Sequence, residues 1–138
     1  GMTYAGHPAA CAVASANIRI LRDEGIIENV REHTAPYLQK RWKELAEHPL
    51  VGEVRGLGFL GAMELVADKA SGKQFDPGAG VGGICRDLSA QAGLVMRAVG
   101  DTMIISPPRI MTHEQIDELV TLAHQALDQT LTAIKKSH

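Results

Sequence analysis

The chain has 138 residues, of which 45% are hydrophobic and 22% are charged, and its formal net charge at pH 7 is -2. This size and composition predict one domain with a packed core and exclude a disordered chain. Because Lys and Arg residues are interleaved with Asp and Glu, no basic surface for nucleic acid is expected. The apolar stretches are shorter than the roughly 20 residues that a membrane span requires.

The N-terminal residues lack a basic segment followed by an apolar run, so we expect no signal peptide and a cytoplasmic protein. Cys11 and Cys85 lie far apart in the sequence, without the C-x-x-C spacing of redox or metal sites. We therefore expect two reduced thiols, mostly buried, and no metal site.

Apolar residues at helical spacing predict a first helix over residues 9–22, and Pro8 suits its first turn. The same spacing predicts a second helix over residues 27–45, in which Pro36 should cause a kink or mark the true start. Alternating glycine and apolar residues then predict strands over 54–56 and 59–66, separated by a tight turn or bulge.

A polar, glycine-rich loop is predicted over residues 67–83, and a short helix over 84–92. Residues 94–98 and 103–106 are expected to form a hairpin whose turn contains Gly100 and Asp101. Thr112 and Gln115 fit a capping box at the start of a final helix. The core stripe of that helix is expected at Ile116, Leu119, Val120, Ala123, Leu127, Leu131 and Ile134. This order predicts an α+β fold with helices packed on a small antiparallel or mixed sheet.

The segment Thr3-Tyr4-Ala5-Gly6-His7-Pro8, directly before the first helix, resembles a T-Y-S-G-H-P motif of class III (omega) pyridoxal-phosphate-dependent aminotransferases. It differs only in having Ala5 for the serine. The later segments Val54 to Gly58, Gly61 to Leu65, Gly93 to Arg97 and Ser106 to Pro108 resemble the family in the same order. The resemblance implies the C-terminal domain of fold-type I enzymes, with residues 1–24 as an interdomain helix segment, residues 25–138 as the small domain, and the large cofactor domain outside this chain.

The resemblance implies two binding residues. Thr3 would hydrogen-bond the phosphate of pyridoxal 5'-phosphate beside a helix start, where backbone N–H groups and the helix dipole favour anions. The alternative for Thr3 is a turn residue without a ligand. Arg97 would bind the α-carboxylate of a substrate and swing away when the substrate has none. The alternative for Arg97 is a structural salt bridge across the hairpin.

Other polar residues receive structural interpretations. His7, followed by Pro8 at a helix entrance, is expected to pack and hydrogen-bond locally and not to act as an acid or base. Arg55 lies among glycines that match neither common phosphate-loop pattern, so it is assigned to a place where the backbone turns. Arg109 is expected to be a surface or interface charge.

The lysine that such enzymes use to form a Schiff base with the cofactor lies before the T-Y-S-G-H-P segment in the family. The lysines of this chain occur on a polar helix, in the loop and at the C-terminal end, so no catalytic residue is assigned. We expect the chain alone to bind no cofactor and to be inactive, and we expect a homodimer. The alternatives are a non-catalytic dimerising or binding module and a fragment of a related aminomutase or decarboxylase.

Overall fold

The computed structural model describes residues 2–136. These residues form five α-helices and four β-strands, together with short π-helical and 3-10 turns. In chain order they are α1 (Pro8–Asp23), α2 (Ile26–Asn29), a π-helical turn (Val30–Thr34), α3 (Ala35–Lys43), a 3-10 turn (Glu44–Glu47), β1 (Val51–Leu57), β2 (Leu60–Leu65), a 3-10 turn (Pro77–Ala79), α4 (Val81–Gln91), β3 (Arg97–Val99), β4 (Thr102–Ile105) and α5 (His113–Lys136). The α+β prediction is confirmed.

The four strands form one sheet in the order β1-β2-β4-β3, and every neighbouring pair is antiparallel. The predicted tight turn between the first two strands lies at Gly58, whose φ of 59° is in the left-handed region that glycine adopts without strain. The predicted hairpin is also present, but its first strand begins at Arg97 and not at residue 94. The sheet contains no parallel pair.

Helices α3 and α4 pack against the sheet, α5 packs against both of these helices, and together they enclose the core. Trp42 on α3 is fully buried, and its indole N–H donates to the carbonyl oxygen of Ala62 at 3.3 Å. Gly61 permits this approach, because a Cβ there would lie 2.9 Å from the indole nitrogen. The largest fully buried apolar side chains of this core are Trp42, Leu38, Leu45, Met63, Leu65, Met103, Ile116 and Leu127.

The predicted second helix is one continuous helical segment with a change of type in the middle. The segment begins at Ile26, passes through the π-helical turn and continues as α3 with Pro36 in its first turn. The N–H of Ala35 donates to the carbonyl of Val30, five residues earlier. The wider turn accommodates the missing N–H of proline, so the expected distortion at Pro36 takes the form of a π-bulge.

Helix α4 begins at Val81, three residues before the predicted start, so the loop prediction over 67–83 was wrong at its end. Gly82 and Gly83 disfavour a helix intrinsically. However, Gly82 packs against the β3–β4 turn, where a Cβ would lie 2.1 Å from the carbonyl oxygen of Gly100. Close packing between distant segments therefore outweighs the local propensity.

The capping box of α5 is confirmed. The N–H of Gln115 donates to Oγ1 of Thr112 at 3.3 Å, and the N–H of Thr112 donates to Oε1 of Gln115 at 3.0 Å. In the predicted stripe of α5, Leu131 and Ile134 are only half-buried, and the remaining members are buried. The stripe therefore faces the core along the first four turns of the helix.

Helix α1 packs against α2 and contains no buried residue. Its Val13 is 70% exposed and its Ile18 is 65% exposed. Cys11 is exposed on the same helix, so the expectation of two mostly buried thiols was wrong for Cys11 and confirmed for Cys85. The reason is that the part of the chain described here supplies no surface that covers α1.

Candidate functional site

Thr3 lies in a turn that precedes α1. The N–H of Ala5 donates to the carbonyl of Met2 at 3.0 Å, and the N–H of His7 donates to the carbonyl of Tyr4 at 3.2 Å. Gly6 closes the turn with a φ of 77°. The Thr3 side chain is exposed and makes no hydrogen bond to any other described residue. Its hydroxyl therefore has no partner among the described residues and lies near the start of a 16-residue helix.

His7 is the N-cap of α1. Its Nδ1 accepts a hydrogen bond from the N–H of Ala10 at 3.4 Å, and Pro8 follows at the first helical position. The imidazole also lies 6.2 Å, between ring centroids, from the ring of Tyr4. These contacts agree with the local structural role expected for His7, because the cap uses one of its two ring nitrogens.

Arg97 is the first residue of β3, which forms one edge of the sheet. Its cross-strand partner is Ile104, an uncharged residue. The side chain is exposed, and within residues 2–136 no carboxylate lies within ion-pairing distance of its guanidinium. The alternative of a salt bridge across the hairpin is therefore not formed, and the five N–H donors of Arg97 face outward.

Arg55 occupies the opposite edge of the same cross-strand row, which runs from Arg55 through Ala62 and Ile104 to Arg97. The guanidinium of Arg55 lies 3.0 Å from Glu53 and 3.5 Å from Glu64. The backbone is extended at Arg55, so its assignment to a turn was wrong, although its role is structural as expected. Two arginines in one row thus differ, since one is paired with acidic residues and the other is not.

The remaining basic residues lie at the surface. Arg109 is exposed, as expected of a surface charge. All six lysines of the chain are exposed: Lys40, Lys43, Lys69, Lys73, Lys135 and Lys136. Lys69 donates to the backbone carbonyls of Ala46 and His48. A lysine that reacts with a carbonyl group near neutral pH usually lies in apolar surroundings that favour its neutral amine, and none of these six does.

Cys85 and the acidic residues form no further reactive centre in the described region. Burial raises the pKa of the Cys85 thiol, so it remains protonated and unreactive at neutral pH. Within residues 2–136 there is no group of three or more His, Cys, Asp or Glu side chains that could hold a metal ion. No helix in that range is long and apolar enough to cross a membrane.

The structure does not bring Thr3 and Arg97 together in a single pocket. Thr3 precedes α1, Arg97 lies on β3, and no hydrogen bond or ion pair links the two segments within the described chain. One residue offers a hydroxyl and the other a guanidinium, so each could bind a different anion. Within residues 2–136 the two candidate residues therefore lie at separate places.

Comparison with known proteins identifies the fold and then the family. The aminotransferase from Vibrio fluvialis, solved in its PMP-bound form, matches the chain with a TM-score of 0.88 and 39% identity over 96% of this chain and 29% of that one. The fold is thus that of fold-type I pyridoxal-phosphate enzymes. Residues 1–127 match the family model of class III aminotransferases, and the chain belongs to that family.

Two curated relatives show how much of a family member the chain represents. Putrescine–pyruvate aminotransferase of Pseudomonas aeruginosa is 60% identical over 134 residues, which are 97% of this chain and 29% of that protein. Gamma aminobutyrate transaminase 1 of Solanum lycopersicum, a mitochondrial protein, is 38% identical over 130 residues, which are 94% of this chain and 25% of that protein. The chain spans less than a third of each relative.

Proposed function

We propose that this chain is the C-terminal part of a pyridoxal-phosphate-dependent aminotransferase that transfers an amino group between an amine or amino acid and an oxo acid. The observation that carries the proposal is the exposed guanidinium of Arg97, which has no acidic partner in the described chain. Family membership and the transaminase names of the relatives support the same reaction class.

In this proposal Arg97 binds the carboxylate of the oxo acid. A guanidinium presents a rigid fork of donors that matches a carboxylate with two parallel hydrogen bonds. Arg97 has only an aliphatic residue, Ile104, opposite it, and Val99 on the same strand is 51% exposed. The exposed guanidinium is therefore accessible to an incoming carboxylate.

Thr3 is proposed to bind the cofactor phosphate. Its hydroxyl has no partner within residues 2–136, and α1 begins five residues later, so the donor type and the local dipole both fit a phosphate. When bound, pyridoxal 5'-phosphate supplies the carbonyl carbon that takes up the amino group. Because every lysine of this chain is exposed, we propose that the lysine that binds the cofactor covalently lies outside the chain. The isolated chain would then be inactive.

We further propose that residues 1–24 form a helical segment between domains and that residues 25–138 form the small domain, with the large cofactor domain outside this chain. Two observations support a boundary at Gly25: no residue of α1 is buried, and Gly25 has a φ of 61° between α1 and α2. The exposed apolar residues of α1 also support a homodimer, in which they would be covered. A cytoplasmic location remains a prediction from the sequence.

The test of the proposal uses the intact enzyme with Arg97→Ala and Arg97→Lys. Putrescine is the amine donor, since the Pseudomonas relative is named for it, and pyruvate and the carboxylate-free aldehyde propanal are the acceptors. We expect Arg97→Ala to lower kcat/KM for pyruvate about 10- to 100-fold, because a charge-assisted hydrogen bond contributes about 1.5 to 3 kcal/mol. Propanal should be used almost as well as by the wild type.

Arg109→Ala serves as the matched control, since Arg109 is also an exposed arginine without an acidic partner in the described chain. We expect it to leave both acceptors unaffected. Arg97→Lys should recover part of the pyruvate activity, because lysine keeps the charge and loses the paired donors. Equal use of pyruvate by the Arg97→Ala variant and the wild type would contradict the proposed role.

A second candidate function is a non-catalytic module that associates through α1. The exposed Val13 and Ile18 favour it, because apolar side chains at 70% and 65% exposure tend to acquire a partner. Light scattering of the 138-residue chain at micromolar concentration tests this second function, and a monomer would contradict it. Dimers of a chain that has no transaminase activity fit both functions, whereas a lower kcat/KM for pyruvate in the Arg97→Ala variant of the intact enzyme fits only the aminotransferase.

A further inference from the structure

Arg97 lies on β3, a short strand at the edge of the sheet. β3 has three residues and is paired on one side only, with β4. Three residues of an edge strand make few ladder hydrogen bonds, so the position of the Arg97 backbone depends on what holds the hairpin.

The hairpin is tied to the start of α4 through Asp101. The N–H of Gly82 donates to Oδ1 of Asp101 at 2.8 Å, and the contact joins residues 19 positions apart. The N-cap residue of α4 is Gly80, which has no side chain to cap the helix. Asp101 therefore supplies the acceptor that a helix start normally obtains from its own N-cap, and its negative charge lies at the positive end of the helix dipole.

Two further contacts of the turn complete this attachment. The backbone carbonyl of Asp101 accepts a hydrogen bond from the N–H of Leu65 at 2.9 Å, which links the turn to the end of β2. Gly100 has a φ of 58°, as the first central residue of a type II′ turn requires, and its carbonyl oxygen lies against Gly82. The hydrogen bond from Gly82 to the Asp101 side chain is the only one of these contacts that a substitution can remove without changing a glycine or the backbone.

We infer that Asp101 is a positioning residue for Arg97. Its carboxylate holds the β3–β4 turn against α4. This turn holds the edge strand from which the guanidinium reaches the substrate carboxylate. The inference rests on the proposed function of Arg97. Without the carboxylate, the turn can move away from α4, and a displacement of about 1 Å at a binding group lowers activity by up to about 100-fold.

The experiment compares Asp101→Ala and Asp101→Asn in the intact enzyme with putrescine as the donor. The measured quantity is the ratio of kcat/KM for pyruvate to kcat/KM for propanal. Loss of folded enzyme lowers both constants equally and cancels in the ratio. We expect Asp101→Ala to lower the ratio about tenfold, mainly through KM for pyruvate. Asp101→Asn, whose amide oxygen can still accept from Gly82, should retain a ratio close to that of the wild type.

The matched control is Asp87→Ala, because Asp87 is an exposed carboxylate on α4 whose only described ion pair is with its neighbour Arg86. Hydrogen–deuterium exchange of the intact enzyme provides a readout besides activity. We expect Asp101→Ala to speed exchange in peptides that cover residues 97–105 as well as 81–91. A role confined to capping α4 would affect only residues 81–91.

The Asp101 and Arg97 variants test the positioning role of Asp101 and the binding role of Arg97 separately. An unchanged acceptor ratio in Asp101→Ala, beside a reduced ratio in Arg97→Ala, would overturn the inference and leave the proposed function intact. An unchanged ratio in Arg97→Ala would overturn the proposed function itself. A reduced ratio in both Ala variants, together with faster exchange over residues 97–105, is the result that the inference requires.

Discussion

The packed region from Ile26 to Lys136 and the N-terminal segment up to Asp23 differ in how their apolar side chains are covered. In the packed region Trp42, Met63 and Ile116 have no exposed surface, whereas Val13 and Ile18 of α1 are largely exposed. Both regions carry apolar residues at helical spacing. An apolar pattern therefore predicts a helix, but it does not show whether the surface that covers the helix belongs to the same chain.

The polar residues of the two regions differ in whether they have a hydrogen-bond or ion-pair partner in the described chain. In the packed region Asp117 accepts hydrogen bonds from Tyr37 and Arg41, and Asp128 faces His48 and His124. Thr3, in the N-terminal segment, has no such partner among the described residues, and neither has Arg97 at the sheet edge. Polar groups that remain unpaired where others are paired are candidates for ligand binding.

Trp42→Ala, which removes the core aromatic residue, should reduce the stability of the chain more than any other change considered. Removal of a fully buried tryptophan should lower the free energy of unfolding by about 3 to 5 kcal/mol, since it leaves a cavity between α3 and the sheet. Urea unfolding of the 138-residue chain, followed by circular dichroism, measures the loss. Trp42→Phe is the control and should cost less, because it keeps most of the buried ring. A loss under about 1 kcal/mol for Trp42→Ala would contradict the assigned core.

An intermediate effect is expected from pH, through His48. Its Nδ1 accepts from the N–H of Leu50 at 3.1 Å, so the proton is on Nε2, which lies 3.3 Å from Asp128. Burial lowers the pKa of His48 below its ordinary value of 6.5, although Asp128 acts to raise it. The unfolded chain therefore binds this proton more readily than the folded chain. The contribution of neutral His48 to the free energy of unfolding is fully present above about pH 6.5. It is lost as the pH falls below that value, by up to about 1.4 kcal/mol per pH unit.

Unfolding midpoints in urea between pH 8 and pH 5 test the contribution of His48. His48→Asn is the control, because the amide oxygen can accept from Leu50 and does not titrate in this range. We expect the variant to lose less stability than the wild type as the pH falls from 6.5. Identical pH dependence in the two proteins would show that His48 does not contribute.

The smallest expected effect on stability is that of Ile18→Ser on α1. Because Ile18 is 65% exposed, the free energy of unfolding should change by no more than about 0.5 kcal/mol. Self-association measured by light scattering should decrease. Ile116→Ser, at a fully buried position of α5, should instead destabilise the chain strongly. A large loss of stability in Ile18→Ser would mean that α1 is part of the packed core.

Local signals predicted those parts of the fold that depend on neighbouring residues. The capping box at Thr112 and the turn at Gly100 and Asp101 are encoded within four residues each. The early start of α4 was missed because it depends on the fit of Gly82 against Gly100, which is a contact between distant segments. The exposure of Cys11 was missed because helical spacing does not reveal which surface covers α1.

The candidate site was less predictable than the fold. Thr3 and Arg97 were identified by family resemblance, since an isolated threonine and arginine have no distinctive spacing. The pairing of Arg55 with Glu53 and Glu64, and its absence at Arg97, depend on strand register. The link from Asp101 to Gly82 joins two segments that the sequence had assigned to a turn and a loop.

We propose above all that this chain contributes anion-binding residues to an aminotransferase whose cofactor-binding lysine lies elsewhere. The most direct measurement incubates the 138-residue chain with pyridoxal 5'-phosphate, removes free cofactor by gel filtration and records the visible absorbance of the protein, with the intact enzyme in parallel. We expect a visible band for the intact enzyme and none for the chain alone. A band that stays with the isolated chain, and is lost on substitution of one of its six lysines, would contradict the claim.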